Sequence, residues 1–155
     1  MDNFIRVYQN AFSNELCDRL ISKFESTELE DRERHDMGEM HFSQVNFRAC
    51  GWKQEQDELV NIFLLHTKKY TDDVGITTEF PQKYALEDIR LKKYMPDGYD
   101  QFGPHVDVVD KNTSTRFLVF FVYLDDNIGG GTHFDRINLT SPCKKGSILI
   151  FPPLW

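Results

Sequence analysis

The chain has 155 residues, 40% of them hydrophobic, and a formal net charge of −7. That length allows one core of ordinary depth, and an acidic chain with no Lys/Arg run longer than two lacks the basic stripe that tracks nucleic-acid phosphates. No segment stays apolar over the ~20 residues a bilayer span requires, and the opening MDNFIRVYQNAF has no charged-then-apolar leader pattern. Cys17, Cys50 and Cys143 are odd in number and widely spaced, which suits reduced structural thiols rather than a disulfide framework or a zinc cluster. The expectation is a cytoplasmic protein with neither nucleic-acid nor membrane partners.

Read in chain order, Ile5 to Tyr8 suggests a short strand. SNELCDRLISKFES then offers Ser13 or Asn14 as an N-cap, with Leu16, Leu20, Ile21 and Phe24 on one helical face. The charged run 28–41, ELEDRERHDMGEMH, has no apolar stripe and predicts an exposed loop or frayed helix end, with a lid over substrate as one role and a solvated connector as the other. Phe42 to Ala49 suggests a strand, and QEQDELVNIFLLHTKKY places Leu59, Ile62, Phe63 and Tyr70 at helical spacing. From Glu87 the period becomes two, with recurring turn residues: LEDIRLKKYM, GPHVDVV, TRFLVFFVYL, THF, INLT and GSILIF all suggest strands. The run from Phe117 to Leu124 is almost continuously apolar, the pattern of a strand buried on both faces. No repeat or linker divides the chain, so residues 1–155 are expected to form a single α+β domain with a helical part over 1–84 and a β part over 85–155.

Within GPHVDVVD, residues 103–110, His105 and Asp107 stand two apart, and on a strand such residues share a face, so both can reach one ion. The tripeptide alone proves little, because His133 and Asp135 repeat it. The surrounding order is more specific. LKKYMPDGYDQFGPHVD, then TRFLVFFVYLDD, GGGTHF and KKGSILIFPPLW, resembles the iron(II)- and 2-oxoglutarate-dependent oxygenases, in particular their prolyl 4-hydroxylase-like branch. The likeness runs from Leu86 onward, and FSNELCDRLISKF is similar to the family's opening helix.

The resemblance implies a double-stranded β-helix (jelly roll) with N-terminal helices packed on it. It implies Fe(II) and 2-oxoglutarate as cofactors, with ascorbate as an accessory reductant, and hydroxylation of an unactivated C–H bond, prolyl or another, in a peptide or small-molecule substrate. His105 and Asp107 correspond to two ligands of a 2-His-1-carboxylate facial triad, which leaves open positions on the metal. Tyr123 corresponds to the residue whose hydroxyl bonds the distal carboxylate of 2-oxoglutarate, and Tyr94 to one lining the co-substrate pocket. Phe102 stands where many members have Tyr. Arg116 opens its strand either in a functional role or as an exposed strand-end charge, and His133 falls where the family has no ligand.

The family's second His and its basic 2-oxoglutarate anchor follow the Gly-Ser-Leu-Leu-Phe-type strand and have no counterpart up to Trp155. The sequence is therefore expected to be a C-terminally incomplete stretch or a degenerate member, with the last jelly-roll strands missing and an exposed edge open to a strand-exchanged homodimer. The rivals are a non-catalytic jelly-roll binding module, a cupin (disfavoured because position 107 is Asp and no Glu follows nearby), and a three-ligand site that adds His133 to His105 and Asp107.

Overall fold

A computed structural model describes residues 2–96 and 98–153. The chain folds as two compact units, the first comprising Met1–Arg19, Ile62–Phe80 and His105–Trp155, the second Leu20–Asn61 and Pro81–Pro104. Helix and antiparallel sheet are mixed, in agreement with the α+β expectation.

The first unit is built on an antiparallel sheet of β1 (Arg6–Tyr8), β6 (Val119–Tyr123) and β9 (Ser147–Phe151). β9 lies in the middle, pairing Arg6 with Ile150 on one side and Tyr123 with Ser147 on the other. All five of its residues are buried. The 117–124 run, expected to be buried on both faces, yields instead the half-buried β6, because a flanking strand is covered less completely than the central one. Alternation gives β9 two different faces. Leu149 and Phe151 pack with Ile5 and Phe134, and with Val119, Phe121 and Tyr123 around them. On the other face Phe120, the register partner of Ile150, meets Phe63 with ring centroids 5.4 Å apart. Phe63 belongs to α2, Lys53–Val74, whose Tyr70 is fully buried and donates its hydroxyl to the carbonyl of Phe4 at 2.8 Å. A pair of two-residue strands, β7 (His133–Phe134) and β8 (Leu139–Thr140), brings Phe134 edge-on to Phe151 at 4.9 Å.

Helix α1 spans Asn14–Ser26 and begins as its sequence requires, with Ser13 Oγ accepting the amide of Leu16 at 3.1 Å. Leu16, Leu20 and Phe24 are its buried stripe.

In the second unit β2 (Glu33–Met37), β3 (Met40–Asn46) and β4 (Arg90–Lys93) form an antiparallel sheet, with β5 (Gln101–Phe102) also paired to β3. The charged run expected to be a loop is thus mostly a β-hairpin. Its edge strand is polar and largely exposed on both faces, so no apolar alternation betrays it, and charge on an edge also discourages unwanted pairing. Polar contacts replace burial: Gln44 donates to Glu33 at 2.6 Å, and Arg34 grips Asp100 through two bonds of 3.0 and 2.6 Å. Phe42, buried in the sheet, is ringed by His35, Tyr94 and Phe102 at 4.8, 5.6 and 5.3 Å, with the Lys92 ammonium 4.3 Å from its centroid.

Candidate functional site

The segment 103–110 is not a strand. Pro104 has no amide to lend to a ladder, and the chain after it closes into side-chain-capped turns, with Thr113 N donating to Asp110 Oδ1 at 2.9 Å. His105 and Asp107 nevertheless come together: His105 Nε2 stands 3.7 Å from Asp107 Oδ1, and each side chain is about a third exposed, 36% and 30%. Two bonds hold the carboxylate's backbone. Asp107 N donates to the carbonyl of Pro153 at 3.2 Å, and the guanidinium of Arg116 donates to the carbonyl of Asp107 at 2.8 Å. The Arg that opens the apolar run therefore orients the His-x-Asp segment.

Donor atoms about 2.1 Å from one ion stand about 3.0 Å apart when cis and about 4.2 Å when trans, so the 3.7 Å pair lies within the span of one ion but wider than the cis spacing of a facial site, and imidazole with carboxylate is a donor set that suits iron. Among the described residues no group of three or more His, Cys, Asp and Glu stands close enough to hold an ion. This rules out the three-ligand site with His133 within those residues. His133 is occupied elsewhere, across the β7/β8 pair with Thr140 Oγ1 at 2.8 Å and beside Asp135 at 3.3 Å.

Tyr123 ends β6 with its hydroxyl on a cluster that the sequence does not announce. Thr132 Oγ1 lies 2.8 Å away and Ser141 Oγ 2.7 Å away, and the amide of Thr132 donates to both Tyr123 Oη and Ser141 Oγ at 3.1 Å. The backbones of 132 and 141 are also joined, Ser141 N to Thr132 O at 2.9 Å. Gly131 makes this approach feasible: a Cβ there would stand 2.0 Å from the carbonyl oxygen of Ser141. The Gly-Gly-Gly-Thr run is the available signal for Thr132, whereas nothing in TSPCKKG marks Ser141. Ser141 also lies on the wall of an open cleft of about 390 Å³, together with Asp126, Gly131, Thr140, Cys143 and Lys144. His105 and Asp107 are not among its walls.

Tyr94, expected to line the co-substrate pocket, belongs to the second unit, where it follows β4 and packs on Phe42. Burial, reinforced by the charge of Asp100, pushes its phenol up to about 12, although part of the residue still reaches solvent. Phe102 packs on the same Phe42 and lies 4.1 Å from the Lys92 ammonium, as a member of an aromatic cluster.

No protein-family model matches the chain, and no curated protein does. Solved structures do match in fold. The viral collagen prolyl hydroxylase of Paramecium bursaria Chlorella virus-1, in complex with 2-oxoglutarate, superposes with a TM-score of 0.64 at 18% identity, covering 96% of this chain and 77% of that one. A truncated form of the same enzyme gives 0.56 at 18% identity, over 96% and 72%. At that identity the likeness is one of fold. Among the described residues no helix is long and apolar enough to cross a membrane.

Proposed function

We propose that the chain is a 2-oxoglutarate-dependent oxygenase with a jelly-roll core of the double-stranded β-helix type, acting on an unactivated C–H bond of a peptide or protein, with a prolyl residue as the first candidate. The observation that carries this reading is the His105–Asp107 pair, two metal-compatible donors 3.7 Å apart, on a fold similar to a prolyl hydroxylase solved with 2-oxoglutarate. His105 Nε2 and Asp107 Oδ1 would hold Fe(II), which when bound supplies open positions for keto acid and oxygen and so the oxidising chemistry. The chain's own contribution is placement. Arg116 fixes the backbone that presents the carboxylate, and Tyr123, steadied by Thr132 and Ser141, offers hydroxyl donors to the distal carboxylate of the co-substrate.

The test is anaerobic titration with Fe(II) or Mn(II), with and without 2-oxoglutarate, on wild type and His105→Ala. Binding that tightens with 2-oxoglutarate and weakens by at least ~100-fold in the variant supports the reading, in line with the loss of a ligand from a site that has few; metal binding indifferent to His105 overturns it. A second reading, a carboxylate-binding module without turnover, is favoured by one observation: the hydroxyl cluster around Tyr123 is assembled without any contribution from His105 or Asp107. Retention of 2-oxoglutarate affinity in His105→Ala without metal would select it.

A further inference from the structure

We propose that Ser141 is a positioning residue that sets which way the Tyr123 hydroxyl points its proton, and thereby how strongly Tyr123 binds a carboxylate. This rests on the co-substrate reading above.

The protons of the cluster can be counted. Tyr123, Thr132 and Ser141 bring three O–H groups into two hydroxyl–hydroxyl contacts, of 2.8 and 2.7 Å, and each contact consumes one proton. Whichever way those bonds run, one O–H remains for a group outside the trio. The amide of Thr132 adds a donor that is shared between the oxygens of Tyr123 and Ser141. When Ser141 donates to Tyr123, the phenol oxygen accepts from both Ser141 and the amide, and its own proton is then directed to Thr132 or, where an incoming acceptor displaces the Thr132 contact, to that acceptor. A phenol is a stronger hydrogen-bond donor than an aliphatic alcohol, so this arrangement presents the best donor to an anion.

Ser141 is suited to the task because it is held rigidly. It is 4% exposed, its amide is bonded to Thr132 O, and its carbonyl lies against Gly131, where no side chain larger than hydrogen fits. Removing its hydroxyl leaves Thr132 as the sole side-chain partner of the Tyr123 hydroxyl among the described residues, beside the Thr132 amide, so that Thr132 Oγ1 donates to the phenol or accepts from it without the competing Ser141 bond.

The experiment is isothermal titration of 2-oxoglutarate into the Mn(II)-loaded chain, for wild type, Ser141→Ala, Ser141→Thr, Tyr123→Phe and the double variant Ser141→Ala/Tyr123→Phe, with thermal melts in parallel. The expected result is a roughly tenfold rise in Kd for Ser141→Ala, recovery of most of the affinity in Ser141→Thr, and a double variant no weaker than Tyr123→Phe alone, because Ser141 acts through the phenol. Additive losses, or an unchanged Kd in a folded Ser141→Ala protein, would overturn the proposal. If Ser141→Ala fails to fold, an unrestored Kd in a folded Ser141→Thr protein overturns it equally. Wild-type protein that binds Mn(II) but no 2-oxoglutarate would instead sink the co-substrate reading on which the proposal stands.

Discussion

Arg116 donates to the main-chain carbonyl of Asp107 at 2.8 Å, so a side chain nine residues downstream fixes the peptide that carries the candidate ligand. Hydrogen bonds from charged donors contribute about 1.5–3 kcal/mol when removal leaves the acceptor behind. Arg116→Met is therefore expected to weaken Mn(II) binding by about tenfold or more while His105 and Asp107 stay in the chain, with Arg116→Lys intermediate because a point ammonium cannot reproduce the planar fork. Equal affinities in titrations of the three proteins would show that the bond does not order the pair.

Ser147 is fully buried in β9, and its hydroxyl has no hydrogen-bond partner among the described residues. A buried hydroxyl without a partner costs roughly 1–3 kcal/mol of desolvation. Ser147→Ala removes that cost at almost no loss of volume, and the expected outcome in denaturant unfolding is a gain of about 1 kcal/mol with an unchanged m-value. A loss of stability would reveal a partner for the hydroxyl in the folded chain.

The hairpin of β2 and β3 is held to Tyr99 and Asp100 by carboxylates, and acid should release it. Tyr99 and His41 bond Asp36 at 2.7 and 2.6 Å, while Arg34 and the amide of Met95 bond Asp100. The Tyr99 hydrogen bond is the main cause holding the Asp36 carboxyl below its usual range, and the Arg34 hydrogen bond does the same for Asp100. A carboxyl whose folded value is depressed stabilises the fold fully above the ordinary Asp value near ~3.9 and loses that contribution as pH falls through the folded value. Amide hydrogen exchange in β2 should accelerate from about pH 5 to about pH 2.5 beyond its intrinsic trend in wild type, and less so in Asp36→Asn/Asp100→Asn. The same acid response in both proteins would mean that these contacts are not what protons break.

The parts legible in the sequence are those in which one local signal decides. Ser13 caps α1, Leu16, Leu20 and Phe24 form its stripe, and His105 Nε2 stands 3.7 Å from Asp107 Oδ1. The strand expected under His105 is absent because two-residue periodicity around Val106 and Val108 competes with Pro104 and with the Thr113–Asp110 capping bonds, and the capping bonds prevail. β2 is hidden because its pairing is stabilised by Arg34, Asp100 and Gln44, partners whose distance in the chain no periodicity can encode. Ser141 is hidden for a related reason: its role depends on Gly131 allowing two backbones to approach, a relation between residues ten apart that neither composition nor spacing announces.

The central place of β9 also has a consequence for how the chain acquires its shape during synthesis. Arg6 and Val7 leave the ribosome well before their ladder partners Ile150 and Leu149, which emerge more than a hundred residues later. At ordinary elongation rates of about 5–20 residues per second, β1 waits several seconds for its neighbour, and β6 cannot be closed into the sheet in the meantime. SILIF itself, strongly β-forming and without charge, is a segment that aggregates if it stays uncovered. The first unit is thus a late and non-local folder, and its yield in a cell is set by how quickly β9 finds the two strands already waiting for it.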